Sequence, residues 1–367
     1  MRAFRTQSLQ PGQKIRVLVV DDSVVIRRLV CHALEEDPAV EIVGVASTGA
    51  MGLARIPQVN PDVITLDIEM PEMDGLQMLR QLRRGGSIVR VIMFSTMTER
   101  GGSATLEALA LGADDYVTKA SNAGSLDVSM ANLRHELLPK IHQFFQFSSA
   151  QEIAPQIPPP VLASGFSISR TTQSYPRAQV VGIGVSTGGP AALTAIIPQF
   201  PSGFPLPVLV VQHMPPLFTR LLAERLATVT ALSVKEAEDG EKPEPARIYI
   251  APGDFHMRTV NTANGIQIRL DRELPLNSCR PAVDALFSSM AEVYGGAAIA
   301  AVLTGMGQDG LRGAQRLKAQ GARILAQDEA TSVVWGMPGA VAHAGAADQV
   351  LPLLEVVPAI LRQAAGL

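Results

Sequence analysis

Cysteine is scarce in this chain: 367 residues hold two, Cys31 and Cys279, far apart and in no metal-ligand spacing. Both are therefore expected to be reduced thiols of a cytoplasmic protein, and nothing suggests zinc. No apolar run reaches membrane-spanning length, which argues against direct insertion into a bilayer. Charge of one sign is lacking too. A formal net charge of -3 argues against a general polyanion binder. The segment Met1–Lys14 carries Arg2, Arg5 and Lys14 without an apolar core, so it does not read as a secretion signal.

What is present is globular: 47% of residues are hydrophobic and 18% charged, in a length that suits two domains, each with its own core. From Ile15 an apolar run, a loop and a helical period repeat about five times. Ile15–Val20, Glu41–Ala46, Val63–Leu66, Val89–Phe94 and Tyr116–Val117 read as strands. Helices are expected over Ser23–Leu34 and Gly49–Ile56, and from Gly75, Gly102 and Ser125. Such alternation implies an α/β fold, a five-stranded parallel sheet wound on both faces. Ligands of such sheets bind outside the carboxyl ends of the strands.

At those ends stand Asp21 and Asp22, Asp67, Ser95 and, after the fifth strand, Lys119. Three carboxylates gathered at one rim repel unless a hard cation sits among them, and Mg²⁺ suits one or two carboxylates with water and a phosphate. An aspartate there can attack a phosphoryl group, whose oxygens the lysine and the hydroxyl can bind. Taken singly, these residues read as a helix cap, a loop carboxylate and a solvated charge.

Residues Ile15 to Ile141 resemble the response-regulator receiver domain of two-component signalling. The resemblance rests on Val20-Asp21-Asp22-Ser23, on the run Leu66 to Gly75 and on the run Gly112 to Lys119. It implies that Asp67 is phosphorylated, that Asp21, Asp22 and Asp67 hold Mg²⁺, that Ser95 is the switch hydroxyl and that Tyr116 reorients. Ala120 stands where the family usually has proline, often after a cis bond. A cis bond before alanine is strongly disfavoured, so the loop carrying Lys119 is expected to differ in shape.

From Phe147 to Pro176 the composition turns to Ser, Gln and Pro, which reads as an extended connector. The expected organisation is an extension over 1–14, a receiver over 15–146, a linker over 147–176 and a second α/β domain over 177–367 with a mostly parallel sheet. In that second half, Gln179-Val180-Val181 leads into Gly182-Ile183-Gly184-Val185-Ser186-Thr187-Gly188-Gly189-Pro190. The G-x-S-x-G spacing at the end of a buried strand would expose the Ser186 hydroxyl, with Gly184 and Gly188 allowing a sharp turn and the approach of a substrate carbonyl. A glycine-rich turn with a capping serine would look the same.

A second strand, Pro207–Val211, ends in Gln212-His213, so His213 shares the rim with Ser186 and could accept its proton. A third, Ala297–Leu303, runs into Thr304-Gly305-Met306-Gly307-Gln308-Asp309-Gly310, where Asp309 could orient the histidine. His256 is the rival base, and Asp254, Asp284 and Asp328 are rival acids.

The runs Gly184–Pro190, Gln212–Pro215, Ile250–His256, Leu303–Gly310 and Trp335–Ala340 resemble the catalytic domain of the chemotaxis protein-glutamate methylesterase family. The resemblance implies a Ser186–His213–Asp309 triad and an oxyanion-hole N–H from Met306, with no cofactor for hydrolysis. It implies esterase and glutamine deamidase activities on the cytoplasmic helices of methyl-accepting chemoreceptors, and a histidine kinase as phosphodonor. It also implies that the unphosphorylated receiver covers the catalytic rim. A response regulator with a DNA-binding or adaptor output is the alternative. From Arg177 onward, 15 basic and 16 acidic side chains give a net of -1, whereas a DNA-reading domain normally shows a basic face.

Overall fold

The computed structural model describes residues 7–10, 12–119, 126–147 and 176–366. The expected connector, 147–176, lies almost wholly outside the described residues, as do Ala120 and Ser125.

A short strand, β1 (Gln7–Leu9), precedes the first sheet. Then come β2 (Ile15–Val20), α1 (Val24–Glu35), β3 (Val40–Ala46), α2 (Gly49–Val59), β4 (Val63–Asp67) and α3 (Gly75–Arg84). The half closes with β5 (Arg90–Ser95), α4 (Glu99–Ala110), β6 (Asp115–Thr118), α5 (Leu126–His142) and β7 (Phe145–Phe147). Five strands pair in parallel in the order β3-β2-β4-β5-β6. Strands β2, β4 and β5 are buried at nearly every position, which is why they read as continuous apolar runs.

Capping sets several helix starts. The Ser23 hydroxyl accepts from Ile26 N at 3.3 Å, and Asp74 and Gln77 make a capping box. Helix α4 begins three residues before the expected Gly102 because Thr98 caps it, accepting from Gly101 N at 3.0 Å. Helix α2 runs through Pro57 and stops at Asn60, which takes φ 40 and returns its N–H to Ile56 O at 2.8 Å. The amino-terminal extension holds one strand that sequence did not show: β1 pairs in parallel with β7.

The second half opens with β8 (Val180–Val185), α6 (Gly189–Ile196), β9 (Val208–Gln212), α7 (Phe218–Ala227), β10 (Ser233–Glu236) and β11 (Arg247–Ile250). An antiparallel pair, β12 (His256–Thr262) and β13 (Gly265–Asp271), leads to α8 (Val283–Val293). The chain continues through β14 (Ala298–Val302), α9 (Leu311–Ala319), β15 (Arg323–Gln327), α10 (Met337–His343), β16 (Gln349–Leu351) and α11 (Leu353–Ala364). Seven strands form one parallel sheet in the order β10-β11-β9-β8-β14-β15-β16. Central β8 has β9 on one side and β14 on the other, so the strand order reverses at its carboxyl end. That is where open α/β sheets bind their ligands.

Candidate active site

Ser186 follows β8 directly at this reversal point. Its N–H donates to Thr304 O at 3.0 Å, and its carbonyl accepts from Gly189 N at 2.8 Å and Gln212 Nε2 at 3.0 Å. Gly188 takes φ 76, which makes the sharp turn into α6. Gly184 has a different role from the one expected: a Cβ there would stand 2.3 Å from Val283 Cγ1, so it serves the packing of α8 on the sheet rather than the approach of a substrate. Across the reversal point, a Cβ on Gly305 would meet Ser186 Cβ at 2.7 Å. The loop after β14 therefore touches the serine. Met306, with its N–H unbonded among the described residues, lines the same cleft.

His213 is anchored by its N–H to Val185 O at 3.2 Å, and its Nε2 lies 2.8 Å from Asp309 Oδ2. The other ring nitrogen, Nδ1, faces Cys279 Sγ at 3.6 Å. Among the described residues no hydrogen bond joins His213 to the Ser186 hydroxyl, although both line one cleft of about 500 Å³. Asp309 sits at the amino terminus of α8 and accepts from Val283 N at 2.6 Å, Asp284 N at 3.0 Å and Asn277 Nδ2 at 2.8 Å. Burial pushes the Asp309 carboxyl up, but the bonds from His213 and these amides outweigh it and hold it below its ordinary value. Burial likewise opposes charge on His213, and the bonds to Asp309 and Cys279 reverse this and raise the imidazole above its ordinary value.

The rivals are engaged elsewhere. His256 is fully buried, with Nδ1 accepting from Ala282 N at 3.2 Å and Nε2 3.2 Å from Leu274 O. Asp254 is ion-paired with Arg280, Asp284 accepts from Gly313 N at 2.8 Å, and Asp328 accepts from Thr331 N at 3.0 Å. Of the four acids weighed, Asp309 is the one that reaches His213.

In the first half, single oxygens of Asp21, Asp22 and Asp67 lie within 4.8 Å of one another. Lys119 Nζ is 2.8 Å from Asp67 Oδ2 and 3.1 Å from Asp21 Oδ2. Burial raises the Asp67 carboxyl to about 6; Lys119 pulls it down and Asp21 pushes it up. A set of three carboxylates so close together, all oxygen donors, fits a hard cation such as Mg²⁺. The Ser95 hydroxyl is turned away from Asp67, donating to Gly101 O at 3.1 Å and accepting from Thr105 Oγ1 at 2.6 Å.

The two halves meet over Ser186. Tyr116 stacks on Phe218 with ring centroids 5.1 Å apart and planes within 5°. Helix α4 lies on α6 and α7, where Glu99 pairs with Arg220. The Thr187 hydroxyl, next to the serine, is 3.0 Å from Asp115 Oδ2 and 3.1 Å from Gln143 Oε1. The first half thus forms one wall of the cleft, with Asp115, Tyr116, Lys140 and Gln143 facing Ser186 and His213. Sequence reasoning missed Asn277, Cys279 and Thr187, because no spacing marks a residue brought in by a loop or by another domain.

Residues 181–360 match the CheB methylesterase family and residues 17–130 the response regulator receiver domain. A protein-glutamate methylesterase/protein-glutamine glutaminase of Trichodesmium erythraeum is 46% identical over 354 residues, 95% of this chain and 99% of that one. One from a Nocardioides species is 49% identical over 358 residues, 97% of this chain and 96% of that one. The crystal structure of the Thermotoga maritima CheB methylesterase catalytic domain matches with a TM-score of 0.50 at 46% identity, covering 50% of this chain and 98% of that one. With a receiver ahead of the catalytic half and such identity over nearly its whole length, the chain belongs to the CheB family of protein-glutamate methylesterases/protein-glutamine glutaminases.

Proposed function

We propose that this chain is a phosphorylation-activated hydrolase that removes methyl groups from glutamate γ-methyl esters of chemoreceptors and deamidates specific receptor glutamines, giving adaptation in chemotaxis. The observation that carries this reading is the His213–Asp309 pair at 2.8 Å in a cleft that Ser186 lines and the receiver walls off. DNA binding or an adaptor role, the alternative outputs, draw no support from a catalytic half matched to methylesterases.

Asp309 occupies Nε2, so Nδ1 is the nitrogen left to take the proton of Ser186. The serine oxygen attacks the ester carbonyl, and the Met306 N–H donates to the resulting oxyanion, a bond worth about 3 to 4 kcal/mol in comparable sites. His213 then gives its proton to the departing methoxide. Water, relieved of a proton by the same imidazole, hydrolyses the acyl-enzyme to leave a carboxylate. A glutamine side chain follows the same steps and releases ammonia.

Asp67 is the proposed phosphoacceptor, with a sensor histidine kinase as donor. Asp21, Asp22 and Asp67 would hold Mg²⁺, which when bound offsets the negative charge of the carboxylates and the phosphoryl group. Ser95 would leave Gly101 O to bind a phosphoryl oxygen beside Lys119, and Tyr116 would leave Phe218, loosening the receiver from the cleft. The proposed units are the extension 1–14, receiver 15–146, linker 147–176 and catalytic domain 177–367. The substrates are the cytoplasmic helices of receptors, so the place of action is the cytoplasm. No described helix is long and apolar enough to cross a membrane.

The test is methanol release from receptor membranes carrying labelled methyl esters. Wild type should release it faster with Mg²⁺ and acetyl phosphate, Ser186→Ala should release none, and Asp67→Asn should keep a basal rate that acetyl phosphate does not raise. Equal stimulation of Asp67→Asn would overturn the control, and release by Ser186→Ala would overturn the nucleophile.

A further inference from the structure

His213 has a thiol beside its ring as well as a hydroxyl in the same cleft. Its Nε2 is held by Asp309 at 2.8 Å, and its Nδ1 faces the sulfur of Cys279 at 3.6 Å rather than the hydroxyl of Ser186. Cys279 also lines the same cleft as Ser186. A nucleophile against a base that is itself oriented by a buried carboxylate is the arrangement that activates catalytic thiols. We propose that Cys279, His213 and Asp309 form a second, thiol-based constellation in the active-site cleft, making Cys279 a site of covalent modification by small soft electrophiles that blocks the esterase.

At 3.6 Å from Cys279 Sγ, the Nδ1 of His213 is placed to take the thiol proton as the sulfur reacts. With iodoacetamide the balance is simple: the sulfur forms a bond to the methylene carbon, the carbon–iodine bond breaks, iodide leaves, and the thiol proton passes to Nδ1. The added group would then stand in the cleft that Ser186 and His213 line, beside Nδ1. With the receiver in place, a cleft of about 500 Å³ admits a small molecule while its wall excludes a receptor helix.

Other charges face this pair. Behind His213 lies Asp284, tied to Asp309 through Asn277, and beside Cys279 lies Arg280, paired with Asp254. On the receiver wall stand Asp115, His135, Glu136 and Lys140. None of these touches the sulfur, so the reactivity is assigned to His213.

The inference rests on the triad reading of His213, but its test needs no substrate. The full chain is treated with iodoacetamide at pH 7 and the labelling of each cysteine is followed by peptide mass spectrometry. Cys31 is the internal reference, half-buried like Cys279, with a thiol that burial pushes up. Cys279 is expected to react at least tenfold faster than Cys31, and His213→Gln should bring it to within about twofold of that reference. Equal rates in the wild-type chain overturn the proposal whether or not the variant folds, as does an advantage that survives in a folded His213→Gln. Methanol release should fall in step with Cys279 labelling, and full activity after complete labelling would also overturn it. A chain that releases no methanol before treatment fails the proposed function instead, and the labelling rates still decide this one.

Discussion

Gly102 offers the most direct handle on the closed arrangement. It lies on α4 facing α7, where an added Cβ would stand 2.6 Å from Leu221 Cδ1 and 3.8 Å from Phe218 Cε2. Alanine there meets only the end of a side chain that can swing aside, so its effect should be small. Leucine cannot be accommodated that way. Overpacking of this kind costs about 1 to 3 kcal/mol. At about 1.4 kcal/mol per factor of ten, that shifts the balance from closed towards open by about 5- to 150-fold. The same substitution helps α4 itself, since glycine in a helix interior is about 0.8 to 1 kcal/mol worse than a good helix former. The receiver should therefore stay folded while its docked state weakens. Measured as methanol release without a phosphodonor, Gly102→Leu should raise the basal rate towards the phosphorylated rate and shrink the response to acetyl phosphate. A folded Gly102→Leu chain with a wild-type basal rate would refute the idea that this contact holds the cleft shut.

Asp67 and Asp309 give further outcomes. Because burial holds Asp67 at about 6 against 3.8, the folded receiver binds this proton more tightly than the unfolded chain, and its stability without divalent cations should fall as pH rises between these values. Asp67→Asn should remove that fall and gain up to about 3 kcal/mol at pH 7; calorimetry in EDTA would read it, and a difference constant with pH would refute it. Asparagine at 309 has one acceptor oxygen where the carboxylate gives one each to Val283 N and Asp284 N, so Asp309→Asn should lose about 10³- to 10⁴-fold in hydrolysis and also lower the thermal midpoint. A loss below tenfold would remove Asp309 from the triad.

Both sheets were legible because central parallel strands are covered on two faces and leave apolar runs such as Val17–Val20 and Ala298–Val302. Strand-end positions were legible for the same reason: a residue at the end of a buried strand, such as Asp67, or just past it, such as His213, must stand on the rim. What local reading missed depends on distant partners. Gly184 looks the same in sequence whether it admits a substrate or Val283, and only the packing of α8 distinguishes them. Strand β1 has three residues and gains its order from pairing with β7, more than a hundred positions away. Thr187 meets Asp115 across a separation of 72 residues, and Cys279 meets His213 across 66. No periodicity records such encounters.

The receiver wall across the cleft has a thermodynamic consequence. Tyr116, Asp115 and Gln143 line the cleft beside Ser186, so on the proposed function receiver and receptor would be competing ligands for one surface. Linkage would then make the effects reciprocal: whatever the proposed phosphorylation of Asp67 does to favour substrate, bound substrate would do to favour the phosphorylated receiver by the same factor. Densely packed receptors would on that account retain the esterase in its phosphorylated form beyond what the kinase alone sustains, and the array would tune the lifetime of its own correction signal.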